Sequence, residues 1–270
     1  MVKQPLGAGI EILVTREYRF STDAILLADF ALRHAGCFEG RALDLGSGCG
    51  IIPFLWERDS RMRKQQKEKP RFCHVAGLEI QQNACDLAQQ SLRLNRVMNG
   101  TEFICGDLRD VAQGNKNKMD ERLKPLGSWD VVVCNPPYKA PGAGKTSPND
   151  ALRTARQEGS CTLQDILQAA SALLRYGGRF FLCQRPERIC DVMCHMRGAG
   201  IEPKLLQPVQ QMHGKNANLF LAGGIKGGKC GLTLLPAFMI ETPDKEYSPE
   251  MMRVYGPYKD TISSERGKSL

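Results

Sequence analysis

Asn135-Pro136-Pro137-Tyr138 follow directly on the apolar run Val131-Val132-Val133-Cys134. The apolar run reads as a short buried strand. Two consecutive prolines end it, because neither can donate to a sheet ladder. What arrives at the strand end is a carboxamide, a stiff turn and an aromatic ring. This set suits one kind of chemistry, in which a planar amino nitrogen, such as the exocyclic nitrogen of adenine, is helped to act as a nucleophile. The lone pair of such a nitrogen is delocalised into its ring, so it attacks poorly. The Asn135 side-chain oxygen and the Pro136 carbonyl can accept hydrogen bonds from its two N–H groups. Those bonds favour a pyramidal nitrogen with a directed lone pair. Pro136 and Pro137 hold the acceptors in place beforehand. Tyr138 offers a ring for base stacking, worth ~1–3 kcal/mol. The proton can leave after attack, so an amide serves where a Ser, Cys or His would otherwise be expected. The competing reading is a rigid turn with an ordinary asparagine.

A second group lies upstream in LDLGSGCG, Leu43 to Gly50. Gly46, Gly48 and Gly50 allow a tight strand-to-helix turn and close approach of backbone to a ligand. The spacing departs from the dinucleotide fingerprint, since the third glycine comes one residue early. Asp44 precedes the first glycine by two positions, a poor neighbour for pyrophosphate but a good one for an ammonium or sulfonium. Glu79, in GLEI, can accept both ribose hydroxyls of a nucleoside. Asp107, in CGDL, could meet an adenine amino group. Each acid alone could be a helix cap, and the glycines only a turn. Three acids at successive strand ends describe a pocket for S-adenosyl-L-methionine better than one for a nicotinamide cofactor.

The elements that must position these groups alternate. STDAILLADFALRH, residues 21–34, has helical spacing, with Ser21 or Thr22 as cap and Asp23 at the positive end. Strands are expected at GRALDLG, HVAGLEI, TEFICGD, WDVVVCN and GRFFLCQ, then at EPKLLQPVQ and ANLFLAGG. Between them come a short helix IIPFLWER and helices QQNACDLAQQSLRLN, TLQDILQAASALLRYGG and PERICDVMCHMRGAG, the last two stopped by glycine. This order predicts an α/β, Rossmann-like fold, a mostly parallel seven-stranded sheet with helices on both faces. In such sheets ligands gather outside the carboxyl ends of the strands, where every candidate above falls. One domain is expected over 1–258, with a flexible tail at 259–270. Residues 58–71 form a basic insert with seven basic and two acidic residues, and 112–128 a polar loop.

Composition narrows the class. The chain has 270 residues, a net charge of +8 and eleven cysteines without paired spacing. The charge favours a polyanionic partner, against the plain alternative of a basic soluble surface. The cysteines read as free thiols in a reducing compartment. No apolar run approaches the ~20 residues of a membrane helix, and no secretion signal is visible. Cys190, Cys194 and His195 cluster, but without a second ligand pair no metal is expected.

LDLGSGCG, GLEI, GDL and NPPY together resemble the class I S-adenosylmethionine-dependent methyltransferases that modify exocyclic amino nitrogens. FSTDAILLADFA, the run from ARQEGS to QRPERI, and EYSPEMMRVYG are similar to the valine-tRNA adenine-N6 methyltransferases, over roughly residues 10–255. The resemblance implies Asn135, Pro136, Pro137 and Tyr138 as catalytic residues. It implies Thr22, Asp23, Asp44, Gly46, Ser47, Gly48, Gly50, Glu79, Ile80, Asp107, Leu108 and Asn135 around the cofactor, with residues 1–40 as a lid. It further implies a tRNA substrate methylated beside the anticodon, and a cytoplasmic monomer. The insert and the polar loop depart from that pattern. RNA contact is expected from Lys139, Lys145, Arg153 and Arg156, with the insert as a further possibility. The four-residue signature is shared, so rRNA guanine-N2 or adenine-N6 and release-factor glutamine remain as targets. The glutamine enzymes carry a longer N-terminal domain than the some 40 residues that precede the glycine turn here. A catalytically idle RNA-binding module is the remote alternative.

Overall fold

The computed structural model describes residues 1–95, 100–136 and 161–256. Pro137, Tyr138, Lys139, Lys145, Arg153, Arg156 and the expected tail lie outside them. The chain opens with a hairpin, β1 (Val2–Gly7) and β2 (Ile10–Val14), turned by Gly7, Ala8 and Gly9, all at positive φ. Helix α1 (Thr22–His34) leads into β3 (Gly40–Leu45), α2 (Ile51–Gln65), β4 (Phe72–Glu79), α3 (Gln82–Leu94), β5 (Thr101–Cys105), α4 (Leu108–Ala112) and β6 (Trp129–Cys134). After residue 160 come α5 (Leu163–Leu173), β7 (Leu174–Gln184), α6 (Ile189–Gly198), β8 (Ile201–Gln210) and β9 (Ala217–Lys226). Two-residue strands β10 (Thr233–Leu234) and β11 (Phe238–Met239) and helix α7 (Pro249–Tyr255) follow.

The seven long strands of the main sheet lie in the order β5-β4-β3-β6-β7-β9-β8. All pairs are parallel except those of β9, which runs against both neighbours. The expected mostly parallel sheet is therefore present. β10 and β11 add short parallel pairings to β8 at one edge. Side chains alternate between two cores, as pleating requires. Ala42, Val75, Val131, Val133, Phe181 and Cys183 join the core under α1, α2, α3, α7 and the hairpin. Leu43, Leu45, Leu78, Val132, Cys134 and Leu182 join the core under α4, α5 and α6.

Three of the expected elements have other bounds than the sequence suggests. The helix after the glycine turn is not short: α2 runs to Gln65 and absorbs the first half of the basic insert. Its Arg58 guanidinium donates to the carbonyls of Leu6 at 3.4 Å, Val254 at 3.3 Å and Tyr255 at 3.0 Å. Arg61 donates to Gly9 O at 3.2 Å and Asn95 O at 3.2 Å. Two arginines of the insert thus join α2 to the N-terminal hairpin, to the end of α3 and to α7. α5 stops at Leu173 rather than at Gly177 and Gly178, which lie inside β7 where its register with β6 shifts. PERICDVMCHMRGAG begins as a 3₁₀ turn, Pro186–Arg188, before α6.

Candidate active site

The strand register sets the geometry. Leu45 pairs with Leu78 on one side and Cys134 on the other, and Cys134 pairs with Leu182. The next residues along are Gly46, Glu79, Asn135 and Cys183, so all four stand level at the carboxyl edge. Alternation then decides the face. Asp44 follows Ala42, Glu79 follows Gly77 and Val75, and Asn135 follows Val133, all on the α1 side of the sheet. α1 approaches the same edge. Its end lies low on β7, where Arg179 donates to His34 O at 2.8 Å. Phe30 packs higher, against Phe181 at 5.7 Å between ring centroids. The helix thus runs against the strand, so its start, Thr22 and Asp23, lies toward the carboxyl edge of the sheet. Ser21 caps it without a side-chain hydrogen bond.

The turn after β3 is anchored by backbone. Gly46 N and Ser47 N both donate to Leu78 O, at 2.8 and 3.1 Å. Gly46 and Gly48 have φ of 74° and 54°, and a Cβ on either would meet no atom of the described residues within 4 Å. Among the described residues nothing fills the space beside these two positions, which suits close approach to a ligand. Gly50 is glycine for another reason: at φ 85° its Cβ would stand 2.5 Å from the Phe103 ring.

Glu79 joins this turn to the start of α3 through its two carboxylate oxygens. Oε2 accepts from Gly48 N and Oε1 from Gln81 N, each at 2.9 Å. Each oxygen retains a second lone pair for a ligand hydroxyl. Asp44 is 2% exposed, and among the described residues its Oδ1 has no hydrogen-bond partner. Burial, and then the neighbouring Glu79 carboxylate, push the Asp44 carboxyl well above its ordinary range. A buried acid without a cationic partner is costly. Ser47 Oγ is likewise buried and without a partner among the described residues.

The third acid is differently engaged. Asp107 caps α4 through Arg109 N at 2.9 Å and receives the Arg109 Nε at 2.8 Å. Burial pushes its carboxyl up, but the Arg109 hydrogen bonds and charge outweigh that and hold it below the usual range. Ile80, 45% exposed, presents an apolar surface beside Glu79, and Leu108 packs at the edge of the α4–α6 core.

At the other end of the site, Asn135 is half-buried and Pro136 buried. Asn135 Oδ1 accepts a hydrogen bond from the Cys183 thiol at 3.0 Å. Sequence reasoning missed Cys183, because a cysteine in GRFFLCQ reads as one more small apolar core residue. The only available signal was position: Cys183 and Asn135 each end an apolar strand run. The hairpin was missed too, although GAG between alternating runs is a hairpin signal.

The arrangement places a cradle for a ligand carrying a cation and a diol beside a preset amide acceptor. The model for the methyltransferase small domain family matches residues 21–193. A tRNA1(Val) (adenine(37)-N6)-methyltransferase from Aeromonas salmonicida is 24% identical over 203 residues, 75% of each chain. The Aeromonas hydrophila protein of that name is 24% identical over 242 residues, 89% of each. A solved structure of a predicted O-methyltransferase from Agrobacterium tumefaciens superposes with a TM-score of 0.62 at 21% identity, covering 87% of this chain and 95% of that one. The match spans Asp44, the glycine turn, Glu79, Asp107 and Asn135, and by it the chain belongs to the methyltransferase small domain family.

Proposed function

We propose that the protein methylates the N6 nitrogen of an adenine in tRNA, beside the anticodon of a valine tRNA, using S-adenosylmethionine. The observation that carries the reading is the register that sets Asn135 level with Gly46, on the face that holds Asp44 and Glu79. The residues fit the cofactor. Asp44 has a carboxylate oxygen in need of a cation, Glu79 has lone pairs for ribose hydroxyls, and Gly46 and Gly48 leave the space. Thr22 and Asp23, at the start of α1, would close over the amino-acid end, and Ile80 would pack beside the adenine. Asp107, held by Arg109, still offers an acceptor to the adenine amino group. When bound, S-adenosylmethionine supplies a methyl group made electrophilic by its sulfonium.

Asn135 Oδ1 and the Pro136 carbonyl then accept the two N–H hydrogens of the substrate amine and direct its lone pair. The strand end fixes them before the substrate arrives, so little reorganisation is left to the reaction. Pro137 and Tyr138, outside the described residues, would complete the turn and stack the base. An anticodon-loop base is unstacked at a cost of only about a few kcal/mol. The relatives named for tRNA1(Val) favour this target over guanine N2 or a glutamine amide. Eleven free cysteines fit work in a reducing cytoplasm.

The test is to incubate the protein with methyl-labelled cofactor and tRNA from cells lacking the enzyme, then separate the nucleosides. Label in N6-methyladenosine supports the proposal. Label in N2-methylguanosine, or on protein, would replace it.

A further inference from the structure

We propose that Cys183 is a positioning residue: its thiol fixes which way the Asn135 amide faces, and so keeps the amide oxygen toward the substrate amine. The inference rests on the amine-transfer reading above and adds a residue to it. Cys183 is fully buried and lies on the α1 face of β7, one strand over from Asn135 and level with it. Its Sγ donates to Asn135 Oδ1 at 3.0 Å.

A carboxamide has two ends of similar size and opposite hydrogen-bonding character. Turned one way, Asn135 offers a substrate N–H an acceptor. Turned the other way, it offers an NH2 to an NH2, two donors face to face. Pro136 and Pro137 stiffen the backbone but do not control this rotation. A thiol donor behind the amide does, because S–H donates to the oxygen at 3.0 Å, whereas sulfur is only a weak acceptor for the nitrogen's hydrogens. The carbonyl oxygen has two lone pairs, so one can go to the thiol and the other to the substrate. Cysteine suits this place because it packs as a small apolar group yet keeps one weak donor.

Three variants of the full chain, Cys183→Ala, Cys183→Ser and Cys183→Val, separate orientation from packing. Methyl transfer to unmethylated tRNA and binding of S-adenosylmethionine are measured for each, with the thermal midpoint as a folding check. Cys183→Ala and Cys183→Val should lower kcat about three- to tenfold, the scale of one modest hydrogen bond, with cofactor affinity unchanged. Cys183→Ser restores an O–H donor and should retain most of kcat. Equal loss in Ser and Ala, or no loss in Ala and Val, would overturn the assignment. The side-chain amide of Asn135, followed by nitrogen-15 relaxation, gives a second readout that needs no turnover. It should be ordered in the wild type and more mobile in Cys183→Ala. An equally ordered amide would overturn the inference even if the protein proves inactive on RNA. Wild-type protein that methylates no RNA would instead sink the functional reading.

Discussion

At the scale of single residues, the clearest signal is Asp44. Asp44 is a buried acid whose carboxyl oxygen lacks a partner among the described residues. Its raised pKa has a definite sign in stability. The folded protein binds this proton more tightly than the unfolded chain does. Stability of the cofactor-free protein should therefore fall as pH rises from the ordinary carboxylate range through the raised value. Asp44→Asn should remove that fall and stabilise the free protein by about 1–3 kcal/mol near neutral pH. The same change should weaken cofactor binding by at least about tenfold, since the cation loses its counter-charge. Thermal melts and calorimetry at two pH values check both halves. Asn135→Ala should do the opposite, leaving cofactor affinity intact while lowering kcat by about a hundredfold, the scale of one preorganised catalytic hydrogen-bonding group.

At the scale of elements, the insert that looked like a candidate RNA arm begins as the last two turns of α2. Arg58 joins that helix to carbonyls of β1 and α7, and burial lowers its pKa. Arg58→Ala should cost about 2–3 kcal/mol in urea unfolding and expose the hairpin to proteolysis, with little change in RNA affinity. A large loss of RNA affinity with stability intact would return the insert to the RNA footprint. The strand-helix alternation was legible because buried parallel strands such as VVVC and amphipathic helices such as LQDILQAASAL carry strong patterns. The end of α5 was misread because glycines resemble a helix stop, whereas Gly177 and Gly178 serve an irregular stretch of β7. The hairpin's link to α3 was beyond local pattern altogether. It depends on Asn95 bonding Glu11 in both directions, at 2.8 and 2.7 Å, 84 residues apart. The site acids and Asn135 were legible as residue types at strand ends. That they share one face, and that Cys183 stands behind Asn135, follows only from register between strands.

At the scale of the whole molecule, the site is a property of the sheet. Four strands from distant parts of the sequence end level, and their next residues form a row from Glu79 through Gly46 and Asn135 to Cys183. The chain as a whole carries a net charge of +8, which under the proposed function suits a polyanionic substrate. tRNA binding should weaken at least about tenfold between 50 and 200 mM salt as phosphate contacts release counterions. A flat titration would count against RNA as the substrate. The arrangement of the row is open to direct observation in a crystal of the protein with S-adenosylhomocysteine, the product left after transfer. Its ammonium should lie at Asp44, its ribose on Glu79 and its sulfur turned toward Asn135. Product bound elsewhere, or seated at the glycine turn with its sulfur facing away from Asn135, would contradict the proposed chemistry.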